Sequence, residues 1–266
     1  MRKITKKDLE DLYADLNHRE YVSPDPLQFL YEYNDALDRE IVGLIASSLA
    51  YGRVAQILKS VSKILSVMKS PRKFLEDSSK ADLKGVFKNF KHRFTTGNDI
   101  SNLLFATKRA IEEYGSIGSC FEAGIEQDDP TILPSMSLFV EEMNELAGTE
   151  LGYLLPSPDN GSACKRLNLY LRWMVRMDAV DPGGWSYVDP ARLVIPLDTH
   201  MFNICGRLGF TKRKQADLKT AVEITDAFRS FSPKDPVKYD FALTRLGIRV
   251  DKDLNSFLAC LVEKQP

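Results

Sequence analysis

Apolar residues recur three and four positions apart along most of the chain, the period of helices that bury one face. From Leu37 to Ala50 the apolar positions Ile41, Leu44, Ile45 and Leu49 share a side with Ser48, and Tyr51-Gly52 ends the segment. A second helix is predicted from Val54 to Val67, with Ile57, Leu58, Val61, Ile64 and Leu65 on one face and Arg53 at its opening. Leu83 to Phe90, Ile100 to Tyr114 and Leu138 to Leu146 keep the same period, and Asp25-Pro26 has the form of a cap followed by Pro at the first helical position. No stretch alternates with period two around a hairpin turn, so no strand is predicted.

The texture changes between Leu151 and Pro196, where Pro156, Pro158, Gly161, Pro182, Gly183, Gly184 and Pro190 surround one strongly helical stretch, Ser162 to Arg176. Helices follow at Thr199 to Leu208, Ala216 to Phe231, Pro236 to Leu246 and Leu254 to Glu263. The fold class is all-α.

Composition narrows the function classes. A chain of 266 residues with 44% hydrophobic content can bury a substantial core, and no apolar run reaches the length of a membrane span. Basic residues open the chain, but Asp8, Glu10 and Asp11 follow instead of an apolar stretch, which reads as no signal peptide. Cys120, Cys164, Cys205 and Cys260 are far apart and form no C-x-x-C pair, so neither a disulfide framework nor an iron–sulfur cluster is expected, and the reading is of a reducing cytoplasm. His18, His92 and His200 are equally scattered, so no metal or other cofactor is expected. Net charge is −1, so any contact with nucleic acid depends on local basic patches.

Two residues carry candidate chemistry. Gly161-Ser162 gives a flexible entry and a good N-cap, which puts Lys165 in the first turn of the following helix. That helix start is partly positive and Arg166 is adjacent, surroundings that favour an amine acting as a nucleophile. Asp198, between the apolar Val194-Ile195-Pro196-Leu197 and the helix beginning Thr199-His200-Met201-Phe202, reads as an N-cap held ionised by backbone N–H groups. Taken alone, Lys165 is an ordinary surface lysine and Asp198 an ordinary cap. Together they pair a nucleophile with a fixed negative charge.

The stretch from Ile195 to Phe202, continuing through Cys205 and Arg207-Leu208-Gly209, resembles the "VDTH" segment of endonuclease III and the corresponding stretch of 8-oxoguanine DNA glycosylases. These are helix-hairpin-helix base-excision enzymes. The resemblance implies that Asp198 is catalytic and that Lys165, in Gly161-Ser162-Ala163-Cys164-Lys165-Arg166-Leu167, is the lysine that opens the second hairpin helix. The separation of the two is wider than in endonuclease III and closer to that of archaeal 8-oxoguanine glycosylases. The whole chain further resembles a bacterial family related to this superfamily, through Leu49-Ala50-Tyr51-Gly52-Arg53, Arg166 to Arg176, and Asp235-Pro236-Val237-Lys238-Tyr239-Asp240-Phe241.

The resemblance implies two helical lobes with a cleft between them, residues 1–36 with 187–266 forming one lobe and 37–186 the other. Such an enzyme, acting as a monomer, would flip a damaged base, an oxidised purine among the candidates, out of duplex DNA. Lys165 would displace it through a Schiff base, and strand cleavage by β-elimination can follow. Arg53, Gly161, Arg166, Arg172 and Arg176 are the candidate DNA contacts, with Lys212, Arg213 and Lys214 as a second basic group. Trp185, behind Gly183-Gly184, is the candidate for meeting the flipped base. The superfamily hairpin reads Leu-Pro-Gly-hydrophobic-Gly, whereas Leu155 to Gly161 keeps one glycine and adds Asp159, whose charge repels phosphate. That departure gives some weight to the alternative, a non-catalytic helical module binding nucleic acid or protein on the same scaffold.

Overall fold

A computed structural model describes residues 3–248 and 254–263, with side chains of 247–248 and 260–263 left aside. Thirteen α-helices order the described chain: α1 Lys6–Leu16, α2 Ala36–Ser48, α3 Val54–Met68, α4 Pro71–Asp77, α5 Lys80–Phe87, α6 Gly97–Tyr114 and α7 Ile117–Glu122 come first. Then follow α8 Leu133–Ala147, α9 Lys165–Val175, α10 Thr199–Leu208, α11 Leu218–Arg229, α12 Asp240–Ile248 and α13 Leu254–Glu263. Short 3-10 turns fill several connections, the longest at Pro26–Glu32. The protein is predominantly helical, in agreement with the all-α expectation. No described helix is long and apolar enough to cross a membrane.

The sequence sets most helix starts locally. Thr5 with Asp8, Ser79 with Asp82 and Thr96 with Asp99 form capping boxes, each satisfying two backbone N–H groups that a helix start leaves open. Asp35, Ser116, Asp198 and Asp217 cap α2, α7, α10 and α11 through their side chains. Left-handed glycines at 115, 148 and 209 end α6, α8 and α10.

One strand pair departs from the expectation of none. Lys91–His92 (β1) and Thr95–Thr96 (β2) pair antiparallel, with Lys91 opposite Thr96 and His92 opposite Thr95. Two residues a side are too few for an alternating pattern to register in sequence.

Helix α2 is the centre of the packing. It is buried from Glu40 through Ser48 and lies against the Pro26–Glu32 turn, α3, α4, α7 and α9. Each fully buried Ile or Leu there contributes roughly 1.5–3 kcal/mol. A second group forms as α6 packs on α5, α7 and α8. In a third, α12 receives both α1 and α10. Lys238 is 2.7 Å from Glu10, Tyr239 donates to the same carboxylate at 2.7 Å, and the Tyr13 hydroxyl donates to Asp178 at 2.9 Å. The buried apolar residues form one cluster that runs from Ile4 to Leu258.

Candidate active site

Lys165 is the first residue of α9, and Asp198 is the N-cap of α10. The two helix starts face each other, with Lys165 Nζ 3.6 Å from Asp198 Oδ2. Asp198 divides its labour: Oδ1 accepts the Met201 N–H at 2.8 Å and closes the cap, leaving Oδ2 for the lysine. Both side chains remain reachable, 34% and 25% exposed.

The entry to α9 differs in detail from the expected Ser162 cap. Cys164 is the capping residue, in the left-handed region at φ 45° and ψ 38°, and Ser162 Oγ accepts the Cys164 N–H at 3.2 Å. The Cys164 thiol donates to the Pro156 carbonyl, and burial pushes its pKa up to about 11, so it remains a packed thiol.

The pair borders a cavity of about 310 Å³ lined on its apolar side by Pro24, Ala50, Val54, Leu169, Pro196 and Phe241. Its polar lining includes Asp240 and Arg245, both almost fully buried. Asp240 Oδ2 bonds Arg172 while Oδ1 has no partner; burial pushes this carboxyl up to about 6 even with Arg172 beside it. Arg245 donates to the Tyr21 carbonyl and to Asp25, lies 4.4 Å from the centre of the Phe241 ring, and keeps its Nε–H unpaired. Gly52 lines both this cavity and an adjoining groove that holds Lys165, Arg166, Asp198, Thr199 and Ala216. Among the described residues, no three His, Cys, Asp or Glu side chains are grouped as a metal site requires.

Around this pair the expected DNA contacts separate. Arg53 is exposed at the start of α3, and exposed Lys212 and Lys214 stand in the loop whose Ala216 lines the groove. Arg213 is tied to Asp217 and Thr220. Gly161 is exposed at φ 72°, but its N–H donates to the Pro158 carbonyl and its carbonyl accepts from Leu218, so its amide is not presented to a phosphate. Asp159 is held by the hydroxyls of Ser137 and Ser157.

Arg166 is a clamp. Its guanidinium donates to the Ser48 carbonyl at the end of α2 and to the Tyr153 carbonyl, and it faces the rings of Tyr51 and Tyr153. This replaces the expected phosphate contact with a brace that fixes the first turn of α9. Arg172 and Arg176 share a face of α9, as their spacing predicts, but the face points inward and each is 4% exposed. Arg172 pairs with Asp181 and Asp240; Arg176 pairs with Asp178, Asp181 and Asp235. Neither is available to phosphates at the surface, although Arg172 is among the residues lining the cavity. The acids at 178, 181, 235 and 240 were the available signal, since a buried arginine needs carboxylates to neutralise it. Asp235, read as a helix start, belongs to this cluster.

Trp185 is likewise buried, 2% exposed. Its ring stacks on Phe121 and Tyr187, and its Nε1–H donates to Glu40, whose two oxygens also accept the N–H groups of Ile117 and Gly118. It anchors α2 to α7 and is removed from the base-contacting set.

Fold and site together define a helical protein in which a lysine and an aspartate, each at a helix start, meet beside a cavity of mixed apolar and charged lining. Residues 25–249 match the family described as protein of unknown function (DUF2400), and the chain belongs to that family. Comparison with curated proteins and with solved structures returns no match.

Proposed function

We propose that the protein is a base-excision DNA glycosylase of the helix-hairpin-helix type, with Lys165 as nucleophile and Asp198 as its partner. The observation that carries the reading is the 3.6 Å approach of Lys165 to Asp198 beside a cavity of about 310 Å³. The two sit on different helices, and their meeting supports the resemblance drawn from the sequence segments around them. The helical architecture, with α1 returning to α12, fits the division into a terminal lobe of residues 1–36 and 187–266 and a central lobe of 37–186.

In this mechanism a damaged base leaves the duplex and enters the cavity. The neutral Lys165 amine attacks the sugar C1′, the glycosidic bond breaks, and its electron pair leaves with the base, which takes up a proton. Loss of protons from nitrogen and opening of the sugar ring give a Schiff base between Lys165 and C1′. Removal of a C2′ proton can then expel the 3′ phosphate by β-elimination, and water releases the lysine. Asp198 stabilises the positive charge that develops on the sugar, a contribution strongest when the charge is fixed in advance.

The test is borohydride trapping against duplexes that each carry one defined lesion or one abasic site. A covalent protein–DNA adduct on at least one of them is expected. No adduct and no released base across the panel overturns the reading and leaves the binding module.

The same reading sets the salt response. Exposed Arg53, Arg93, Lys212 and Lys214 provide the phosphate contacts around the groove. Neutralising about four phosphates predicts that duplex affinity falls roughly a hundred-fold between about 50 and about 200 mM salt. Titrations by fluorescence anisotropy should give that slope; affinity indifferent to salt contradicts duplex DNA as the partner.

A further inference from the structure

Base departure in the proposed mechanism needs a proton as the glycosidic bond breaks. Lys165 acts there as a neutral amine and Asp198 as a fixed charge, so a third group has to supply it. A group suited to the task is a carboxyl shielded from water, bordering the cavity, with its titration brought toward neutral pH.

The cavity is lined by two carboxyls in opposite settings, Asp198 and Asp240. Asp198 is 25% exposed, accepts the Met201 N–H at 2.8 Å and has Lys165 Nζ at 3.6 Å, a setting that suits a standing negative charge. Asp240, the first residue of α12, is 2% exposed. Arg172 occupies its Oδ2, and Oδ1 is shut off from water with no hydrogen-bond partner among the described residues. A buried charged oxygen without a donor is costly, and either a proton or a donor on an incoming ligand relieves that cost.

The groups around Asp240 set this balance. Burial disfavours its charged form, Arg172 of α9 opposes this, and the negative charges of Asp198 and Asp181 add to the rise, leaving a carboxyl pushed up to about 6. Cys205 of α10 is a buried thiol within reach of its field. Arg245, further along α12, is held by the Tyr21 carbonyl and Asp25. On α1, Glu10 turns to Lys238 and Tyr239, and Tyr13 to Asp178. Two carboxyls in one site whose surroundings differ this much can divide the work, one holding charge and the other carrying a proton.

We propose that Asp240 is a further catalytic residue, the general acid that protonates the base as it leaves. The proton passes from Oδ1 to a ring nitrogen or exocyclic oxygen of the base while the bond to C1′ breaks, and that bond's electron pair stays with the base. Arg172 neutralises the carboxylate left behind, and water reprotonates it after the base departs. This role rests on the excision reading, since it requires a base that leaves.

The test uses the full chain and duplexes of one sequence that carry 8-oxoguanine, hypoxanthine, uracil or a natural abasic site. Lys165 forms the imine on all of them, but the abasic site has no base to expel and so needs no acid. Asp240→Asn keeps the shape and an acceptor for Arg172 without the acidic proton. Its single-turnover base release should slow roughly a hundred- to ten-thousand-fold, while borohydride trapping on the abasic duplex stays within a few-fold of wild type. Asp240→Glu, which returns the acid, should recover part of the loss. In wild type, the ratio of base-release rate to abasic-trapping rate should be level below about pH 6 and fall roughly ten-fold per unit above it. A wild-type ratio independent of pH overturns the proposal without recourse to any variant. So does Asp240→Asn that releases base like wild type, or that loses equally on both kinds of duplex at unchanged Tm, which marks a structural role. In each of these cases wild-type base release shows that the excision reading survives. Wild type that is trapped on the abasic duplex but releases none of the three bases overturns the acid role alone, and wild type that does neither overturns both.

Discussion

Lys165→Gln should abolish borohydride trapping of the protein on DNA while leaving duplex affinity within a few-fold of wild type. Glutamine has similar length and is neutral, so the first turn of α9, braced by Arg166 on the Ser48 and Tyr153 carbonyls, keeps its place. What is lost is the only atom that can form the imine in the proposed mechanism. Asp198→Asn separates charge from structure at the partner residue. Asparagine is also a good N-cap, so the Met201 N–H keeps its acceptor and stability should change little. The fixed negative charge facing Lys165 disappears, and single-turnover excision should slow roughly a hundred- to a thousand-fold. Asp198→Ala should add a stability loss of about 1 kcal/mol through the missing cap. Trapping by Lys165→Gln would assign the nucleophile to another amine, and normal excision by Asp198→Asn would leave Asp198 a cap alone.

Arg176→Ala should destabilise the protein by about 3–5 kcal/mol, a fall of roughly 10 °C in Tm. The side chain is buried and its guanidinium faces Asp178, Asp181 and Asp235 at once. Removing it leaves carboxylates away from water with one fewer cation, the costly way to break a buried cluster. Thermal melts of the variant at neutral pH measure the loss. A variant with wild-type Tm but weakened DNA binding would return Arg176 to the surface role its sequence position implied.

These two outcomes trace what the sequence makes legible. Helices α10 and α13 have the bounds that their residues predict, because for α10 the signals are local: Asp198 before it and Gly209 after it. Helix α9 begins three residues later than its Ser162 signal, since Cys164 takes a left-handed turn and uses Ser162 to hold its own N–H. Helix α12 begins at Asp240, beyond the Pro236 signal, with Asp235 drawn to Arg176. Spacing placed Arg172 and Arg176 on one face, but periodicity does not say whether a face looks inward. Trp185 follows two glycines and does lie in a connection, yet beside its near neighbour Tyr187 its pocket is assembled from Glu40 and Phe121, residues remote in sequence.

The return of α1 to α12 has a consequence for how the protein is made. Glu10 meets Lys238 and Tyr239 across almost the whole chain, and the cavity beside Lys165 takes its lining from Pro24, Ala50, Pro196 and Phe241. Contacts so distant in sequence close late, after the loop entropy between them has been spent. During synthesis Lys165 emerges ahead of Asp198, and both emerge ahead of Phe241 and Arg245. A nascent chain therefore carries the amine without its aspartate or the walls of the cavity beside it. The candidate site is complete only at the end of folding, as a property of the finished molecule.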